Sequence, residues 1–119
     1  MLCIKLISLL LLLFSVDCYL VKSPNDNEGW FSHRPGRITW VRVDTDPSEF
    51  AVVLTRQQPP YNSLIYLHVS GGSPNVDHSF DNPVPRGGFP IGDHYRINLV
   101  DVNNHNTIYA QSNEFTIKN

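Results

Sequence analysis

The chain has 119 residues, 9 Lys and Arg against 11 Asp and Glu, a formal net charge of −2, and 2 cysteines. This length holds one domain. The near-balanced charge, with no basic cluster, argues against a nucleic-acid partner.

The first residues read as a targeting segment. Met1 to Lys5 carries one positive charge, Leu6 to Val16 is almost wholly apolar, and Val16 and Cys18 suit a cleavage site. These features predict a secretory signal peptide over 1–18 and a mature domain over 19–119. The apolar run is too short for a transmembrane anchor. Cys3 and Cys18 would leave with the signal. The remaining domain is then expected to stand on its core alone, and about 100 residues bury enough surface for that. Phe115 to Asn119 has no apolar tail, so no lipid-anchor signal and no membrane anchor after cleavage is expected.

Tyr19–Lys22 suits a first edge strand, and Ser23 to Gly29 is turn chemistry throughout. Trp30 and Phe31 precede a second turn, His33-Arg34-Pro35-Gly36. Arg37–Val43 is a strand with Ile38 and Trp40 on one face. Asp44 to Ser48 is a loop. Phe50–Thr55 follows as a strand with Phe50, Val52 and Leu54 inward. Gln57 to Asn62 breaks the pattern, Leu64–Val69 resumes it, and Val76–Phe80 is a short strand before an Asp/Pro/Gly loop over 81–88. In Phe89 to Leu99, Pro90 and Gly92 build a turn that feeds a strand over Asp93–Val102. Tyr95, Ile97 and Leu99 share its apolar face, with Arg96 and Asn98 opposite. A tyrosine opening such a strand suits a tyrosine corner, its hydroxyl bonded back to upstream backbone. Asn103 to Asn106 is a hairpin loop. Ile108–Ser112 and Glu114–Ile117 form one strand bent near Asn113.

No segment keeps a helical period long enough for a stable helix. About seven strands separated by turns predict an all-β, two-sheet Greek-key sandwich.

Little in the chain suggests catalysis. His33, His68, His78, His94 and His105 show no metal-ligand spacing, so no metal or other cofactor is expected. A copper polysaccharide oxygenase would need a histidine at the mature N-terminus, where Tyr19 stands. Asp44 with Asp46 and Asp77 with Asp81 could mimic a glycosidase pair, but they lie in turn-rich sequence where Asp bonds its own backbone. There is no Gly-x-Ser-x-Gly elbow. No catalytic residue is assigned and no enzyme is expected.

The aromatics offer a surface instead. Trp40 belongs to the core. Of the adjacent Trp30 and Phe31, only one can point inward on a strand. Tyr61 and Tyr109 lie near loops, where rings fold over sandwich ends. Trp30, Phe31, His33 and Arg34 are therefore the candidate ligand-binding residues, with Asn25 and Asn27 as further hydrogen-bonding groups. Exposed rings stack on sugars and anchor protein contacts.

The chain resembles the immunoglobulin-like N-terminal domain of fungal yeast cell-wall synthesis, killer-toxin-resistance proteins, and of the related Ser/Thr-rich glycosylphosphatidylinositol-anchored family. The matching residues are Ser23-Pro24, Trp30, Pro35-Gly36, Ile38-Thr39-Trp40, Phe50/Val52/Leu54, Gly92 to Ile97, and Ala110 to Ile117. The resemblance implies an immunoglobulin/fibronectin type III-like sandwich, secreted and extracellular or cell-wall associated. It implies a non-catalytic role tied to wall β-glucan. A secreted protein-interaction module, with an extracellular protein as partner, is the alternative. This sequence shows no Ser/Thr-rich stalk, no anchor signal and no Asn-x-Ser/Thr sequon.

Overall fold

The computed structural model describes residues 19–119. The expected signal peptide and both cysteines lie outside the described residues. Nine strands carry the fold, and no helix occurs among the described residues. They are β1 (Leu20–Ser23), β2 (Trp30–Phe31), β3 (Gly36–Val41), β4 (Glu49–Arg56), β5 (Tyr61–Ser70), β6 (His78–Asn82), β7 (Gly92–Val100), β8 (Ile108–Gln111) and β9 (Phe115–Lys118). Nine replaces seven because Trp30–Phe31 pairs as a strand of its own and the bent last strand divides into β8 and β9.

The smaller sheet has the order β1-β3-β6, and the larger β2-β9-β7-β4-β5, with β8 also on β7. The chain leaves the smaller sheet after β3, returns for β6, and crosses again to lay β7 beside β4. These are the crossovers of an immunoglobulin-like Greek key. β2 runs parallel to β9, and the other pairs are antiparallel.

The two faces of each strand follow the period-two pattern. Phe50, Val52 and Leu54 of β4, Tyr95, Ile97 and Leu99 of β7, and Phe115 and Ile117 of β9 face Ile38 and Trp40 of the smaller sheet in one core. Trp40 packs edge-on to Phe50 at 5.1 Å, and its indole N–H donates to the Gly71 carbonyl at 2.8 Å. Tyr19 lies edge-on to Phe50 at 5.4 Å, and its hydroxyl donates to the Pro47 carbonyl. Burial pushes the Tyr19 phenol up to about 12. Ala51, Val53 and Val100 are buried too, although alternation points them outward. They form a second apolar cluster on the outer face, packed against Val102 and Ile108.

Three expectations change in detail. β5 begins at Tyr61 rather than Leu64, because the break is confined to Gln57–Pro60 and Tyr61 already pairs with Arg56. β6 lies two residues later than expected. Asp81 and Asn82, read as loop, are strand residues, because Arg37 pairs with Asp81 across the ladder at 2.8 Å and Asn82 Nδ2 donates to the Gly36 carbonyl at 2.9 Å. The guanidinium also holds the Asp81 carboxyl below its ordinary range. Finally, the hydrogen bond of the tyrosine corner is absent. The Tyr95 ring is fully buried, but its hydroxyl has no hydrogen-bond partner among the described residues. The Arg56 guanidinium covers the ring at 4.4 Å from its centroid, and Tyr61 meets it edge-on at 5.9 Å.

Candidate functional site

Trp30 and Phe31 sit on β2, at the edge of the larger sheet, and the strand turns one ring each way. Trp30 is 4% exposed and Phe31 41%. The Trp30 ring lies against Phe89 at 4.9 Å and Phe115 at 5.2 Å, and its N–H donates to the Arg37 carbonyl at 3.0 Å. It covers Gly36 so closely that a β-carbon there would stand 2.7 Å from the ring. Trp30 is therefore a packing residue, which corrects its reading as a binding ring. Phe31 remains on the surface, with the Arg34 guanidinium over one face at 4.7 Å from the centroid. The two sit within cation–π range.

The neighbouring residues divide. Arg34 lines a small depression of about 140 Å³ with Phe31, Glu28 and Arg37. His33 is exposed but stands against Gly88 and does not line that depression. Asn25 is committed to its own loop: its Oδ1 accepts from the Asn27 and Glu28 amides at 2.8 and 2.9 Å, and its Nδ2 donates to the Lys22 carbonyl at 2.9 Å. This closed turn sets Asp26 to Glu28 beside the sheet. Gly29 then lies on β9, where a β-carbon would strike the Thr116 carbonyl. Asn27 lines a cleft of about 410 Å³ with Asp26, Phe31, Thr116 and Lys118.

The cleft does not end at β9. A second depression, about 420 Å³, continues it over Asp93, His94, Arg96 and Glu114, sharing Asp26 and Thr116 with the first. A third, about 340 Å³, reaches Thr55, Arg56, Gln57, Asn98 and Gln111, sharing His94, Arg96 and Glu114 with the second.

One backbone irregularity puts much of this chemistry on the outer face. Gly92 pairs with Ile117 and Tyr95 with Phe115, so β7 has one residue more than β9 between those rungs. The extra residue is a β-bulge. His94 takes it up in the left-handed region at φ 68, and Asp93 and His94 are both exposed. Without the bulge, alternation would send Asp93 toward the core beside Tyr95. The exposed groups are then tied together. His94 Nδ1 lies 3.1 Å from Glu114 Oε1, Arg96 Nη2 3.7 Å from Glu114 Oε2, and the Thr116 hydroxyl donates to Asp93 at 2.7 Å. Gln111 Nε2 donates to Asn98 Oδ1 at 2.8 Å.

Other candidate chemistry is taken up locally. Asp46 accepts from the Val43 amide at 2.8 Å, and Asp77 pairs with Lys22 at 2.7 Å. His68 pairs with Glu49 at 2.5 Å, and His78 contacts the Ser73 carbonyl at 2.8 Å. Tyr61 and Tyr109 pack against the core. Among the described residues, no three His, Cys, Asp or Glu side chains gather as a metal site.

Residues 23–117 match the Kre9/KNH-like N-terminal Ig-like domain. The chain belongs to the Kre9/KNH-like family. This family is linked to fungal cell-wall glucan synthesis, and its Ig-like domain is a non-enzymatic type of module. The chain is also similar to an uncharacterised protein of Schizosaccharomyces pombe, 30% identical over 112 residues. That alignment covers 93% of this chain and 30% of the yeast protein. No solved structure shows significant similarity. Several residues that make this Kre9/KNH-like domain familiar, among them Trp30, Tyr95 and Phe115, are core residues and serve the fold. Sequence reasoning missed His94, Arg96, Gln111 and Glu114 as a group. The available signal was Asp93, a charged residue at a position where the alternation of β7 calls for an apolar one.

Proposed function

We propose that the protein is a secreted, non-catalytic module of the fungal cell wall that binds β-glucan through the Phe31 edge of the larger sheet. The observation that carries this reading is the exposed Phe31 ring, clamped by Arg34 on one face and set beside a polar cleft. Sugar rings present apolar faces and hydroxyl rims. An apolar ring flanked by fixed hydrogen-bonding groups complements both. His33 has no part in this site, and Trp30 supports it from below. The family's link to wall glucan favours glucan over other polysaccharides.

Co-sedimentation with insoluble β-glucan tests the reading. Wild type should pellet with the polysaccharide, and Phe31→Ala should remain in the supernatant with an unchanged unfolding midpoint. A wild-type protein that stays in solution contradicts the proposal. Capture of a secreted protein in its place would favour an interaction module.

A further inference from the structure

The three larger depressions lie end to end across β4, β7, β9 and β2, joined by shared wall residues. Three features mark this strip as a binding surface beyond an ordinary solvated sheet face. It is a row of open depressions that share wall residues. Its side chains are held in place before any ligand arrives, Glu114 by His94 and Arg96, Asp93 by Thr116, and Gln111 by Asn98. Such prior ordering reduces the entropy lost on binding. And it carries a left-handed, non-glycine residue at the bulge, His94, at φ 68. Conformations of this kind cost stability and cluster at functional sites.

The chemistry of the strip is close to charge-neutral. Asp26, Glu28, Asp93 and Glu114 stand against Arg56, Arg96 and Lys118, with His94 between the sets. A polyanion would meet four carboxylates, and a polycation would meet three permanent cations. Neutral hydroxyls meet donors and acceptors in both directions, from arginine, carboxylate, amide and hydroxyl groups. The strip crosses three strand-to-strand spacings of about 4.8 Å each. That length takes an extended chain and far exceeds one sugar ring.

From this arrangement we infer that the outer face holds one continuous groove for an extended, uncharged glucan chain of roughly three or four residues, laid across the strands at their spacing. The inference rests on the glucan reading above and extends it. Phe31 is one end of the site, Arg96 and His94 form its middle, and Thr55 of β4 lies at the far end, with Gln111 of β8 flanking the middle.

Titration calorimetry with neutral β-linked gluco-oligosaccharides of increasing length tests the groove on the full chain. Affinity should rise from the disaccharide to about the tetrasaccharide and then level off. Arg96→Ala should weaken tetrasaccharide binding by about tenfold, the loss of a charged hydrogen-bonding group. It should leave the disaccharide, held at the Phe31 end, nearly unaffected. His94→Gly guards against a folding artefact, since glycine suits the positive φ and removes only the ring. This variant should fold at least as well as wild type and still lose affinity for the longer oligosaccharides. Val76→Ala, exposed in the loop before β6, should bind like wild type.

Affinity already level at the disaccharide overturns the groove. So does tetrasaccharide binding indifferent to Arg96→Ala and His94→Gly, or tighter binding of a phosphorylated or sulfated glucan than of the neutral one. In each case retention on insoluble glucan lost in Phe31→Ala would leave the simpler edge reading standing. If wild type neither pellets with glucan nor binds any oligosaccharide, both fall together.

Discussion

The inner face of the larger sheet is filled by Val52, Leu54, Tyr95, Ile97, Leu99, Phe115 and Ile117, all buried at 2% exposure or less. The outer face of the same strands is divided. One half is the small apolar cluster around Ala51, Val53 and Val100, and the other is the polar strip from Thr55 to Lys118. The inner face is used up by packing against the smaller sheet. Among the described residues, the polar half of the outer face has no partner sheet, and its side chains bond to one another. The same backbone thus supports folding on one side and leaves a prearranged surface on the other. Substitutions on the two faces should separate stability from binding.

The largest expected effect is on the inner face. Trp30→Ala removes a buried ring and an indole hydrogen bond, and should cost about 3–5 kcal/mol in denaturant unfolding. Trp40→Ala should cost a similar amount. A Trp30→Ala protein as stable as wild type would mean that β2 presents the other ring to the core.

Alkaline pH should act on the core next. The Tyr19 phenol is raised to about 12 by burial, with Arg42 partly opposing the shift, and burial raises Tyr95 and Tyr109 as well. A folded state that favours the neutral phenol is fully stabilised below the unfolded value, about 10. That stabilisation is lost as pH rises from about 10 toward 12. Unfolding midpoints should fall across that window, and phenolate absorbance should show late-titrating tyrosines. Tyrosines that all titrate at the ordinary value in the folded protein would contradict the packing of Tyr19.

A smaller effect, of opposite sign, is expected at Tyr95. Its hydroxyl is buried without a hydrogen-bond partner among the described residues. An unpaired buried hydroxyl costs about 1–3 kcal/mol, so Tyr95→Phe should leave stability unchanged or raise it by about 1 kcal/mol. A loss of 1 kcal/mol or more would restore the corner hydrogen bond expected from the sequence.

On the outer face the expected stability changes are smallest. Phe31→Ala should shift stability by no more than about 0.5 kcal/mol, as for surface positions away from packed features, while abolishing retention on β-glucan.

Much of the fold was legible because its signal is local. Alternation in Arg37–Val43, Phe50–Thr55 and Tyr95–Leu99 placed the inner face, and the turn chemistry at Asn103–Asn106 placed the hairpin. The bend near Asn113 was legible too. There the Ser112 hydroxyl accepts from the Ile97 amide at 2.8 Å, carrying the ladder across the break between β8 and β9. What escaped depends on partners distant in sequence. Asp81 and Asn82 have loop composition but are held in β6 by Arg37 and the Gly36 carbonyl. The outer cluster of Ala51, Val53 and Val100 needs Val102 and Ile108 folded over it. The site was half legible. Adjacent Trp30 and Phe31 announced one exposed ring without saying which, and Gly36, the residue that seats Trp30, gave no sign of that role. The strip around His94 depends on one inserted residue, which a strict period of two cannot register.

Glucan binding by the polar half of the outer face can be read residue by residue. Amide chemical-shift mapping of the isotopically labelled protein, titrated with a soluble neutral β-glucan oligosaccharide, tests it most directly. Shifts are expected at Phe31, His94, Arg96, Gln111, Glu114 and Thr116, with the smaller sheet unchanged. Shifts confined to β1, β3 and β6, or none at saturating oligosaccharide, would contradict it.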